Sequence, residues 1–114
     1  MRWPEERAEG LKWLRRSAEA GNPEGMNGLA WWLAIAREDH LRNGNEAVQW
    51  AEKAYKATPR PGFADTLAAA YAEAARWDEA ISTQEAAASG LSGEDRKPSL
   101  DRLALYKEHK KWRE

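Results

Sequence analysis

Thr66-Leu67-Ala68-Ala69-Ala70-Tyr71-Ala72-Glu73, followed by Trp77-Asp78-Glu79-Ala80-Ile81, is the stretch that decides the fold. Leu67, Ala68 and Tyr71 fall on one side of a helix, because residues three and four apart stack on the same face. Asp78 reads as the N-cap of a second helix, which a very short turn joins to the first. The same pattern stands upstream. Leu29-Ala30 and Leu33-Ala34 precede Leu67-Ala68 and Tyr71-Ala72 by 38 residues. Glu46-Ala47-Val48 precedes Glu79-Ala80-Ile81 by 33, and Glu9-Gly10-Leu11-x-Trp13 precedes Glu46-Ala47-Val48-x-Trp50 by 37. Two kinds of helix therefore alternate, with the period of a helical-hairpin solenoid. The offsets 38 and 33 differ by five, which places five extra residues in a loop near His40.

Punctuation outward from this core divides the chain into about six helices. Helix one is expected over Pro4–Ala20, with Gly21 in the left-handed position past its end. Asn22 caps helix two, with Pro23 in its first turn. Helix two runs to Arg37, and Glu38–Gly44 reads as a loop, since Asn43-Gly44 is a turn signal; Glu38–Asn43 is expected to be exposed and mobile. Asn45 is read as the cap of helix three, which ends at Thr58-Pro59-Arg60-Pro61-Gly62. Helix four is expected over Gly62–Ala75, helix five from Asp78 to Ser89-Gly90, and a last helix from its cap Ser99 to Trp112. Leu100, Leu103 and Ala104 would pack that last helix down, with Arg102, Lys107, Lys110 and Lys111 solvated opposite. Ala47 and Ala80 are expected to be buried at helix crossings. The predicted class is all-α, an α-α superhelix of about six helices in one domain. It comprises a leading helix (1–22), two repeats (23–59 and 60–92) and a capping helix (97–112).

Composition agrees with this class. Ala, Glu, Arg, Lys and Leu dominate, all good helix formers. Hydrophobic residues make up 42% and charged residues 32%, enough apolar surface for a core. There is no cysteine, so neither disulfides nor thiolate metal sites are possible; this fits a reducing compartment, and a cytoplasmic location is expected. Net charge is −1, which argues against nucleic acid as a partner. The charge is uneven: residues 1–16 sum to +2, residues 17–95 to −7 and residues 96–114 to +4. The longest apolar run, Leu29–Ala36, is too short to span a membrane, and Met1–Glu6 has no apolar leader.

On these residues the chain resembles the tetratricopeptide repeat family. Leu67, Ala68 and Tyr71 on one helix and Ala80 on its partner stand at that family's marked positions. Leu29, Ala30, Leu33, Ala47, Ala51, Ala54 and Pro59 repeat them. Gly10–Asn22 is more similar to the related Sel1-like repeats. Gln84 departs from the pattern, standing where an apolar residue is usual, and helix one matches a second-type helix with no first-type partner before it. The resemblance implies a binding scaffold and no enzyme, with a protein or peptide segment held on the concave face of the first-type helices. Residues two either side of Leu29 and Leu67 lie about 200° round their helices from those core positions. The family register then names Asn27, Trp31, Asp65 and Ala69 as the groove, with Glu24 and Glu73 further out and Trp32 buried. A segment with an apolar anchor and a Lys or Arg, taken by Trp31, is the expected ligand.

Other chemistry finds little support. His40 and His109 have no ligand-spaced companion, so no metal site is expected. The serines lack a nucleophile-elbow context, and neither phosphate-cradling glycine motif occurs. No cofactor is expected. Trp is abundant, seven in 114 residues, and the recurrence of Trp13, Trp50 and Trp77 near equivalent positions points to packing. The competing reading is a self-associating or designed repeat without a natural ligand; a monomer or weak self-association is expected.

Overall fold

The structure, a computed structural model, describes residues 3–113, and side chains from Glu9 to Arg113. The opening Met1–Glu6 therefore lies outside the described side chains. Six α-helices follow one another: α1 (Trp3–Glu19), α2 (Pro23–Ile35), α3 (Gly44–Ala57), α4 (Pro61–Glu73), α5 (Trp77–Ser89) and α6 (Arg96–Lys107). There is no strand among the described residues, so the all-α class stands.

Local chemistry sets most of the boundaries. At the end of α1, Gly21 takes φ +89°, its N–H donates to Ala18 O at 2.9 Å, and Asn22 N–H donates to Ser17 O at 3.1 Å. This pair of bonds is a Schellman motif, which satisfies carbonyls the helix leaves unpaired. Asn22 Oδ1 then accepts from Glu24 N–H at 3.1 Å, and Pro23 opens α2 without a donor to lose. The same pair of bonds ends α4 at Ala75 (φ +61°) and α6 at His109 (φ +58°), neither of them glycine.

Three expected caps are corrected. Asn43, not Asn45, caps α3, accepting from Glu46 N–H at 3.1 Å. Gly44 is thereby pressed onto the end of α4: a Cβ there would come within 2.9 Å of Ala74 N and Glu73 C. Asp78 lies inside the first turn of α5, and Arg76 holds the cap position. Ser99 lies inside α6, with no exposure at all. The last helix also ends at Lys107, short of Trp112.

The expected loop contains a short turn and is tied down by hydrogen bonds. Asp39–Leu41 forms a 3-10 turn, and Asn43 N–H donates to Leu33 O at 2.8 Å. Arg42 cinches the segment: Nη1 donates to Ala36 O at 2.5 Å and Arg37 O at 3.0 Å, Nη2 pairs with Asp39, and Nε stands 3.5 Å from Glu73.

Each helix packs on its neighbours in sequence, and α2 also packs directly on α4. Alanines line these contacts: Ala30, Ala47, Ala68, Ala70 and Ala80 are all fully buried, as expected for Ala47 and Ala80. Small residues let helix axes approach closely. α4 is the central helix and buries Phe63, Ala64 and Thr66–Ala72, so the one-sided amphipathic pattern does not hold for it. α2, α3 and α5 all pack against it. In α6 the buried stripe is Ser99, Leu103 and Tyr106, whereas Leu100 and Ala104 face solvent. The radius of gyration, 13.3 Å, is that of a compact chain of this length.

Candidate functional site

α2 and α4 lie side by side, and with α6 they border a cavity of about 330 Å³, lined by Asn27, Gly28, Trp31, Gly62, Asp65, Thr66 and Arg102. Three of the four residues named from the sequence, Asn27, Trp31 and Asp65, meet here. Ala69 does not: it is 2% exposed and belongs to the core, because α4 is covered where a peripheral helix would face solvent. Trp32, expected to be buried, is only half-buried.

The groove's electrostatics differ from expectation. Asp65 is not free. It accepts hydrogen bonds from Gln84 Nε2 (2.6 Å), Ser99 Oγ (3.0 Å) and Arg102 Nη2 (3.1 Å). The Asp65 and Arg102 side chains are each 13% exposed, so their charges cancel in a largely dry setting. Gln84, which the family pattern would have apolar, is fully buried with its amide nitrogen donating to Asp65 and to Ser99 Oγ (2.6 Å). Glu73 is engaged as well, 3.5 Å from Arg42 and 2.8 Å from Arg113. Glu24 pairs only loosely with Arg60 across the helix ends, at 3.4 Å in solvent.

Arg102 is the residue that sequence reasoning missed. It was assigned to the solvated side of the last helix. Its guanidinium carbon instead lies 5.8 Å from the Trp31 ring centroid and 5.7 Å from that of Trp112, a double cation–π contact. The cation that Trp31 was expected to take from a ligand is thus the chain's own. The legible signal was the spacing Ser99, Arg102, Leu103, Tyr106, which is i, i+3, i+4, i+7 on one face. Tyr106 sits fully buried below, and burial foremost pushes its phenol pKa well up.

Two polar atoms of the lining are buried without a hydrogen-bond partner in the chain: Asn27 Oδ1, an acceptor, and Arg102 Nε, a donor. Buried polar groups are normally paired, so each of these atoms is an unsatisfied group within the packing around the cavity. Gly62 borders the same space, and a Cβ placed on it would touch nothing within 4 Å. No group of His, Cys, Asp or Glu suited to a metal ion occurs among the described residues, and none of their helices is long and apolar enough to cross a membrane.

No family model, curated protein or solved structure matches the chain.

Proposed function

We propose that this chain is a helical-hairpin repeat module of the tetratricopeptide and Sel1-like kind, which holds a protein or peptide segment in the groove between α2, α4 and α6. The observation that carries the reading is the convergence of Asn27, Trp31 and Arg102 on one open cavity between three helices. Trp31 supplies the rigid aromatic surface that typically anchors such an interface. With Asp65 neutralised by Arg102, the segment that fits is an apolar anchor in a near-neutral stretch, and a basic one loses its partner.

Selection of displayed random peptides on the full chain tests this, with Gly62→Leu as the counter-screen. A Cβ at Gly62 meets nothing within 4 Å, so the leucine adds bulk at the groove's edge without disturbing the packing there. Peptides that bind the wild type and lose at least tenfold on Gly62→Leu support the reading. Peptides that bind both equally refute it.

Self-association is the second reading, and Trp13 favours it. Contrary to the packing expected of it, this side chain is 62% exposed, with Arg16 over its ring at 5.0 Å. A mass that rises with concentration and reverts in Trp13→Ala would select that reading.

A further inference from the structure

The five extra residues near His40 have no part in the groove, yet they are folded with unusual care. Arg42 fixes them to the end of α2 through Ala36 O and Arg37 O and to the end of α4 through Glu73. What they build is a wall. His40, Leu41, Arg42 and Asn43 close one side of a second cavity, whose other sides are Leu11, Lys12 and Arg15 of α1, Leu33 of α2 and Glu46 of α3. Its volume is about 300 Å³, at the small end of ligand pockets.

The chemistry of that lining is one-sided. Leu11, Leu33 and Leu41 supply apolar surface, and around them stand Lys12, Arg15 and Arg42 against a single carboxylate, Glu46, a net +2 with His40 neutral. Glu46 cannot satisfy them all. It accepts from Arg15 at 2.5 and 3.3 Å and from Trp50 Nε1 at 3.1 Å, and the Arg15 hydrogen bond foremost holds its pKa below the ordinary carboxylate value. Arg42 is compensated from behind by Asp39 and Glu73. Among the described residues Lys12 pairs with Glu9, 3.8 Å away with both side chains in open solvent. A surface pair of that kind holds its cation weakly. The mouth of an apolar cavity thus carries a lysine available to an anion, next to an arginine already fixed in place.

We infer that this cavity is a second ligand site, and that it takes a small aliphatic monocarboxylate, chain against the leucines and carboxylate at Lys12 and Arg15. Octanoate, octanol and octylammonium are the probes, titrated into the full chain while the His40 imidazole resonances are followed by NMR. Octanoate should shift them saturably, and the other two should not. Lys12→Glu, on an exposed side chain that cannot unfold the protein, should weaken octanoate at least fivefold. Leu41→Trp should abolish the shift by filling the space. Gly62→Leu should leave it unchanged, which keeps this site's failure distinct from the groove's. No saturable shift with octanoate, an equal response to octanol, or an affinity untouched by Lys12→Glu each overturns the inference.

Discussion

Asp65 ties three helices together, and replacing it with alanine measures how tightly. The carboxylate of α4 receives Gln84 from α5 and Ser99 and Arg102 from α6. In Asp65→Ala, Gln84 and Ser99 still have each other, through the 2.6 Å bond between Nε2 and Oγ. Arg102 has no substitute, and its side chain is only 13% exposed. Removing one partner of a buried ion pair costs about 3–5 kcal/mol, and the residual exposure sets the expectation near 3. Arg102→Met leaves Asp65 its two other donors and keeps an unbranched chain between Trp31 and Trp112. It loses one charge-assisted hydrogen bond, about 2 kcal/mol. The double variant has no orphan charge, so its cost should fall at least about 1 kcal/mol short of the sum. Urea denaturation followed by far-UV circular dichroism reads this as a shift in midpoint at constant slope. With a total stability of about 5–15 kcal/mol, the single variants remain folded in buffer. A cost below about 1 kcal/mol for Asp65→Ala, or strict additivity, would show that the three bonds do not hold α6 to the core.

Four further outcomes follow from particular residues. Ala75→Gly should raise stability by about 1 kcal/mol, because Ala75 sits exposed at φ +61°, where a Cβ is strained; an unchanged or lower urea midpoint counts against that geometry. Gly44→Ala should cost about 1–3 kcal/mol, since its Cβ would meet backbone atoms of Glu73 and Ala74 at 2.9 Å, whereas Gly62→Ala should be neutral; equal midpoints for the two variants would contradict the packing of α3 on α4. Ala47→Leu and Ala80→Leu should each cost about 1–3 kcal/mol, as both alanines are fully buried; unchanged melting temperatures would refute those crossings. Burial, and after it the hydrogen bond to Glu52, raises the Tyr71 pKa from 10.0 to about 12. The unfolded chain therefore gives up this proton first, so the contribution is whole below pH 10 and is lost as pH rises towards 12. Tyr71→Phe should flatten that part of the stability profile, and an equally steep fall in the variant would exclude Tyr71 as its source.

Much of this architecture was legible because it is local. Gly21, Asn22 and Pro23 act through the dihedrals and hydrogen bonds of their own turn, so helix end, cap and restart could be read one after another. The alanine positions 47 and 80 were legible because the same register occurs twice. What failed is what local chemistry leaves degenerate. Asn43 and Asn45 are equally good caps, and the choice falls on Asn43 because the glycine after it is the residue that fits against the backbone of Ala74. Ser99 is as good a cap as any serine, but Asp65 and Gln84, far away in sequence, draw it inside the helix and bury it. Ala69 sits on the turn of α4 that the helical period points away from Leu67, and only the enclosure of α4 by its neighbours makes it core. The sequence by itself determined the number of helices, their order and two walls of the groove, because propensity, capping and period need no distant partner. Tertiary structure alone decided that Arg102 faces inward between Trp31 and Trp112, because the sign and burial of an ion pair depend on which helices meet, and no local window contains both Asp65 and Arg102.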